Sequence, residues 1–426
     1  MSNRAKTFLL LLIDSGILFL ALTIVVLLRR TDLASHYKLF SIIFPFWILM
    51  NFIEGLYTLR IYNPANLSIS VIRSTFLSIF VSMILVYLFP IEGRLITPKT
   101  NLILLGITSL PLSFLWRRFF FGFFSHDTRL RETVLIGSDE TVKMVLQELE
   151  SKPRLGYKII STNSAIPPEA KLIAIERNFA DREIYQNIFN LLGSGVEVMD
   201  LAHFAEKISG KIPINAIDES WFIKYCGHQE SRSYDLTKLF VDKAIAILLL
   251  ILLISVSAVV VPFLLIFHGR PIIFKQIRTG KNNKPFKLYK LRSMVVDAEK
   301  HGAQWAKPGD ARVTAIGKFL RKSRFDELPQ LINILRGEMS LVGPRPERPE
   351  MIEKQLAPSI PYYNLRHLVK PGVTGWAQVT FRYGFSQEDS KEKLQFDLFY
   401  VKNKSPWLDL LVLLKTVKTV LTGAGQ

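Results

Sequence analysis

The chain has 426 residues, of which 49% are hydrophobic, so it is too apolar to be read as a purely soluble protein. Its formal charge of +18 implies an anionic partner, whether nucleic acid, an acidic lipid surface or a phosphorylated substrate. A single cysteine, Cys226, excludes a disulfide framework and a cysteine-based metal site, and fits a reducing cytoplasm.

The apolar run 7–28 is too long for a cleaved signal and lacks a small-residue cleavage site, so it reads as a retained anchor. Further apolar runs at 39–58, 74–90 and 102–116 predict a four-helix transmembrane bundle with both ends on one side. The basic C-terminal half belongs on the cytoplasmic face. Asp14 and Glu54 fall inside these spans with no basic partner identifiable from sequence, and packing or an interfacial position accounts for them without a functional role.

From about residue 131 the pattern alternates. Strands are predicted at 133–136, 158–161, 172–175 and 196–199, with a helix at 141–149 and other helical stretches between, which argues for a parallel, Rossmann-like sheet. The turn after the first strand, Gly137-Ser-Asp-Glu, lacks the glycines that let a backbone approach a pyrophosphate. A degenerate domain for packing or regulation is expected there, and an NAD-dependent nucleotide-sugar dehydratase is not supported. The apolar run 244–267 holds two serines and Pro262, and either crosses the membrane or breaks near Ser255 and Ser257 to leave by the leaflet it entered.

From Arg270 onward, 28 Lys+Arg face 14 Asp+Glu, without helix-turn-helix or zinc-finger spacing, so phosphate chemistry at a membrane fits better than nucleic acid. Residues 274–278 and 285–294 predict a β-hairpin with Phe286, Leu288, Lys290 and Arg292 on one face. The two cations either point toward a buried anion or lie at a solvated strand end. Ser323 is a candidate N-cap, with Asp326 and Glu327 in the first turn and Gly337 as the stop. Acidic residues there are ordinary capping or, at the positive end of a helix, a nucleophile kept ionised beside a metal-binding glutamate. Prolines flank Arg345 and stiffen it for phosphate, or simply form a rigid loop. Trp376 and Arg382 suit a membrane interface, a stacked base or a core, and 406–421 suits an interfacial or a core helix.

The blocks PFKLYKLRSM, RFDELPQLINILRGEMSLVGPRP, VKPGVTGWAQV and EKLQFDLFYVKN, in this order over some 190 residues, resemble the bacterial polyprenyl-phosphate sugar-1-phosphate transferases. These are the monotopic phosphoglycosyl transferases, here in a large form of the exopolysaccharide-associated branch. The resemblance implies three domains: a transmembrane domain (1–124), a Rossmann-like α/β domain (125–232) and a monotopic α+β catalytic domain (233–426) with a re-entrant helix near 240–267 and interfacial helices. It implies that Asp326 attacks a UDP-sugar, glucose or galactose being favoured, and passes the phosphosugar to undecaprenyl phosphate. Glu327 would hold Mg2+, and Lys290, Arg292, Arg345 and Arg382 would bind phosphates, with Asp397 as a further functional carboxylate. A bacterial inner-membrane location, membrane lipids as partners, a homodimer and no nucleic-acid ligand complete the expectation. The alternative is a non-catalytic scaffold of a polysaccharide assembly complex. Two departures stand out: no proline follows Ser255, and the usual K-F-R-T-M block is Lys290-Leu-Arg-Ser-Met294.

Overall fold

The computed structural model describes residues 3–30, 33–57, 64–88, 98–124, 130–151, 155–163, 166–177, 179, 182–191, 193–226, 232–296, 298, 310–381 and 386–422. The chain divides into two compact units, 1–131 with 152–158, and 132–151 with 159–426.

The first unit is helical: α1 (Asn3–Arg29), α2 (Leu33–Ile53), α3 (Pro64–Leu88) and α4 (Pro98–Phe124). Each packs on its sequence neighbour, and α1 also packs on α4. Within α1, α3 and α4, the stretches Lys6–Arg29, Leu67–Val86 and Thr100–Phe123 are long and apolar enough to cross a membrane, whereas the described apolar stretch of α2, Phe40–Ile53, is shorter. Leu18, Leu22, Phe44, Trp47 and Leu105 share one buried cluster, while Phe8, Leu27, Phe76, Phe119 and Phe123 are exposed. An apolar exterior of this kind belongs in hydrocarbon. The two acidic residues do have basic partners: Asp14 pairs with Arg117 at 2.5 Å and Glu54 with Arg73 at 3.8 Å. Sequence alone missed these pairings because the partners lie on other helices. Buried polar bridges from Trp47 to Ser82 and from Ser74 to Asn51 tie α2 to α3, as expected where no water competes for the hydrogen bond.

A four-stranded sheet, in the second unit except for Arg131, Tyr157 and Lys158, consists of β1 (Arg131–Ile136), β2 (Tyr157–Thr162), β3 (Leu172–Ile175) and β4 (Glu197–Asp200), in the order β2-β1-β3-β4. β1 and β3, and β3 and β4, are parallel, and β3 is buried throughout, as the run LIAI predicts for a strand covered on both faces. The helices are α5 (Asp139–Ser151), α6 (Arg182–Leu191) and α7 (Leu201–Ser209). At the turn before α5 the Ser138 amide donates to the Glu176 carboxylate and the Gly137 amide to Asn163 Oδ1 at 2.7 Å. The chain's own acceptors thus take the amides that a pyrophosphate uses in a dinucleotide-binding turn.

α7 is capped by Asp200, whose carboxylate accepts from the amides of Ala202 and His203, and it stops at Gly210 with φ 73°. Glu206, buried on this helix, pairs with Lys402 and accepts from Asn403 at 2.7 Å. Lys402 also lies 4.5 Å from the Trp221 ring and 4.9 Å from that of Tyr225, on α8 (Glu219–Cys226). One ammonium therefore links the Rossmann-like segment to the C-terminal segment.

α9 runs from Arg232 to His268 as one helix with Ser255, Ser257 and Pro262 inside it, so the backbone break near the serines, one of the two paths open from sequence, is not seen. Before the apolar run, Asp242 accepts from Ser340 Oγ at 2.6 Å; just after it, Gly269 O accepts from Arg292 at 3.2 Å. Residues on both sides of the run are thus bonded to the C-terminal segment. β5 (Ile273–Thr279) and β6 (Pro285–Leu291) form the expected antiparallel hairpin, in the register Phe274↔Lys290 to Thr279↔Pro285. Phe286 and Leu288 are buried with Leu331, Ile334, Trp376, Phe396, Tyr400 and Val412 in the main core of this segment.

Lys402→Ala should leave Glu206 buried with part of its charge uncompensated, costing about 3 kcal/mol. A lower thermal transition of the purified protein, partly restored by adding Glu206→Gln, is the expected result; an unchanged transition in the single variant contradicts it.

Candidate active site

Ser323 does not cap a helix carrying the acidic pair. It ends α10 (Ala315–Lys322), its hydroxyl donating to Phe319 O at 2.8 Å, and Arg324 then takes φ 61°. Asp326 and Glu327 lie in a 3-10 turn, Phe325–Glu327, and α11 (Gln330–Leu335) follows. A residue in the left-handed region cannot continue a helix, so the chain changes direction there and aims the two carboxylates inward. Gly337, at φ 78°, is the stop that the sequence predicts.

Both carboxylates are buried, Asp326 at 7% exposure and Glu327 at 6%. Glu327 Oε1 lies 2.8 Å from Arg345, 3.4 Å from Lys290 and 3.6 Å from Arg324. Burial opposes its ionisation, but Arg345, Lys290 and Arg324 outweigh that and hold the carboxyl well below the usual carboxylate range. Asp326 differs from its neighbour. Burial pushes its carboxyl up, with Lys290, Arg345 and Arg321 offsetting only part of the effect and Glu327 adding to it. The expected low-pH ionisation from a helix N-terminus is therefore not the controlling factor, because no α-helix begins at this residue and desolvation dominates. Burial also lowers the Lys290 ammonium, against the pull of Glu327.

Three of the cations, Lys290, Arg321 and Arg345, have their own support. Asn333, fully buried on α11, accepts from the Tyr289 amide at 3.3 Å and donates to Lys287 O at 2.8 Å, fixing β6 and Lys290 against the acidic turn. Arg321 on α10 donates to Ser293 at 2.9 Å, where Gly317 packs so closely that a Cβ would lie 1.9 Å from Ser293 O. Arg345 follows β7 (Ser340–Val342), which pairs in parallel with β8 (Gly372–Thr374). A Cβ on Gly372 would lie 2.1 Å from the Gly343 amide nitrogen, so only glycine allows the two loops to close around Arg345. Arg366 donates to Arg345 O at 2.8 Å and pairs with the buried Asp397 at 2.7 Å.

Of the residues proposed from sequence, Asp326, Glu327, Lys290 and Arg345 come together. Arg292 shares the face of β6 with Lys290 but bonds Gly269 O. Asp397 lies behind the cluster, engaged by Arg366, and burial raises its carboxyl although Arg366 opposes this. Arg382 lies outside the described residues. Trp376 is a core residue: its indole donates to Gly210 O at 2.8 Å and Lys415 lies 4.3 Å from its ring. Sequence reasoning missed Arg321, Arg324 and Arg366. Arg321 is five residues before Asp326 on a separate helix and precedes the matching block, whereas Arg324 opens that block, which is the one signal that could have marked it.

The named side chains bring four cations, Lys290, Arg321, Arg324 and Arg345, around two carboxylates. Such an excess of positive charge suits a diphosphate. No group of three or more His, Cys, Asp or Glu side chains able to hold a metal occurs among the described residues. Two adjacent carboxylates still fit Mg2+, which commonly takes one or two carboxylates and completes its shell with substrate phosphates and water.

Comparison with known sequences accords with this geometry. The bacterial sugar transferase family model matches residues 233–423. The uncharacterized sugar transferase EpsL of Bacillus subtilis is 44% identical over 161 residues, 37% of this chain and 73% of that protein. The UDP-N-acetylgalactosamine-undecaprenyl-phosphate N-acetylgalactosaminephosphotransferase of Aeromonas hydrophila is 50% identical over 155 residues, 36% of each chain, so the match spans about a third of that relative. The galactosyl transferase CpsE of Streptococcus agalactiae is 29% identical over 405 residues, 83% of this chain and 86% of that one. With its acidic turn, its cation cluster and these matches, the chain belongs to the bacterial sugar transferase family.

Proposed function

We propose that this protein transfers a sugar 1-phosphate from a UDP-sugar to undecaprenyl phosphate, releasing UMP, as the first membrane step of exopolysaccharide synthesis. The observation that carries the proposal is the pair of buried carboxylates set among four cations, one carboxylate held ionised and the other raised. Galactose and glucose are the favoured sugars. The Aeromonas and Streptococcus relatives are named for N-acetylgalactosamine and galactosyl transfer, so the donor is a neutral hexose or its N-acetyl form.

In the first step an Asp326 carboxylate oxygen bonds to the β-phosphorus, the bond to the bridging oxygen breaks, and that oxygen leaves on UMP. In the second, a phosphate oxygen of the lipid attacks the same phosphorus, freeing Asp326 and giving a polyprenyl diphosphate sugar. Lys290 and Arg345 bind the phosphoryl oxygens, and Arg321 and Arg324 add to the local positive potential. Glu327, with Asp326 and the diphosphate, would hold Mg2+, which neutralises charge on the leaving phosphate. Arg366 and Asp397 are positioning residues, acting through the Arg345 carbonyl. A scaffold without catalysis has no use for a raised carboxylate beside a cation cluster.

The apolar run of α9 is proposed to enter and leave by the cytoplasmic face, α2 is proposed as a span, and the first unit anchors the protein in the inner membrane. Hydrogen bonds that Asp242 and Gly269 accept from the same segment support the one-sided path, with Pro262, which lacks a donor, as the place for a bend.

Asp326→Asn should lower UMP release by roughly 10³-fold or more, and should abolish exchange of labelled UMP into UDP-sugar in the absence of lipid. Exchange that survives in the variant rules out the covalent step. The acid limb of the UMP-release profile, measured from about pH 4 to 8, should lie above the ordinary carboxylate range, since Asp326 must lose its proton to attack. Because Lys290 lowers that carboxyl, Lys290→Gln should move the limb to higher pH; a shift the other way assigns the limb to another group. On a Cys226→Ser background, single cysteines replacing Glu219 and Lys284 flank the apolar run. Both should escape a membrane-impermeant maleimide in intact cells and react after permeabilisation. Labelling of the Lys284 position alone in intact cells would mean a full crossing.

A further inference from the structure

A cavity of about 90 Å³ opens beside the first turns of α9, and none of the residues around Glu327 lines it. Its walls carry four lysines, Lys238, Lys281, Lys370 and Lys404, with Asp235 and Asp242. Most of these charges are accounted for: Lys238 pairs with Asp409 at 2.7 Å, Lys404 with Asp235 at 3.1 Å, and Asp242 accepts from Ser340 at 2.6 Å. Lys281, at the tip of the β5–β6 hairpin, and Lys370, just before β8, form no ion pair among the described residues. Burial lowers the Lys370 ammonium, and repulsion from Lys281 lowers it further, with Asp242 offsetting part. Two ammonium groups without ion pairs among the described residues that line one cavity make a local excess of positive charge that favours an anion there.

The surroundings indicate where that anion comes from. The face of α9 away from the cavity is apolar and exposed, with Leu236 61%, Phe240 75% and Leu248 58% exposed, and it leads directly into the apolar run. The cavity therefore lies at the level where a lipid-embedded helix emerges, a placement that rests on the membrane path proposed above.

We propose that Lys281 and Lys370 form a second anion site, separate from the Asp326–Glu327 centre, which takes the phosphate of an anionic phospholipid headgroup. The lipid holds the hairpin tip and the start of α9 against the membrane surface and takes no part in group transfer.

The test titrates the full-length protein in detergent with dihexanoyl-phosphatidylglycerol, followed by native mass spectrometry. Dihexanoyl-phosphatidylcholine and inorganic phosphate are titrated in parallel. Saturable binding of one phosphatidylglycerol is expected, weakened at least about tenfold in Lys281→Gln/Lys370→Gln and retained in Lys281→Arg/Lys370→Arg. The single variant Lys281→Gln, at an exposed turn, should weaken binding without altering the thermal transition. Equal binding by wild type and the Gln variants, or no saturation, overturns the site. Inorganic phosphate binding as tightly as the lipid, or phosphatidylcholine matching phosphatidylglycerol, overturns the anionic-headgroup assignment. UMP release by the double Gln variant should stay within about threefold of wild type, and a larger loss places these lysines in the reaction instead. Lipid binding is read directly, so failure of the proposed transferase reaction would not mimic any of these results.

Discussion

The C-terminal segment depends on keeping one buried carboxylate charged. Glu327, at 6% exposure, can remain ionised only if opposite charges meet it at short range, and Arg345, Lys290 and Arg324 do so from three separate stretches of chain. Desolvation of such a group costs several kcal/mol before any pairing. The hairpin, the turn after α10 and the loop after β7 must therefore all be in place together. The same constraint separates the two acids. Glu327 takes the closest cations, and Asp326 is left with weaker compensation and a raised carboxyl. Two adjacent carboxylates with opposed shifts are compatible with the proposed division of labour between a charge-holder and a nucleophile.

Behind the cluster, rigidity comes from contacts with little freedom. Asn333 ties α11 to β6, Arg366 joins Asp397 to the Arg345 carbonyl, and Gly343, Gly372 and Gly375 bring two loops into backbone contact. An arginine held at its backbone and flanked by Pro344 and Pro346 has few alternative positions, so less entropy is lost when it binds phosphate. These supporting groups do not touch the proposed substrate, yet they fix where the charges stand.

The α/β segment of β1 to β4 shows the strand–helix alternation without an open phosphate-binding turn after β1. Its sheet is regular, but Glu176 occupies the amide at the start of α5, where a phosphate would otherwise bind. Lys402, shared among Glu206, Trp221 and Tyr225, links this segment to the helix Gln387–Asn403.

Periodicity and turn chemistry were enough to give the apolar helices, the strand–helix alternation, the hairpin and its buried face, and the stop at Gly337, because these depend on neighbours within a few residues. The ordered blocks likewise marked Asp326, Glu327, Lys290 and Arg345. Partners distant in sequence were not legible: Arg117 for Asp14, Arg73 for Glu54 and Arg366 for Asp397; Arg321 and Arg324 are near the acidic pair in the chain, but only the turn at Arg324 brings them to bear on it. The capping role expected of Ser323 failed for a related reason, since the left-handed Arg324 divides one helical pattern into two helices and a turn. The sequence by itself determined which residues carry charge and which elements they ride on. Only the tertiary structure decided how deeply each carboxylate is buried and which cations reach it, because desolvation and Coulomb energy depend on distances that chain order does not encode.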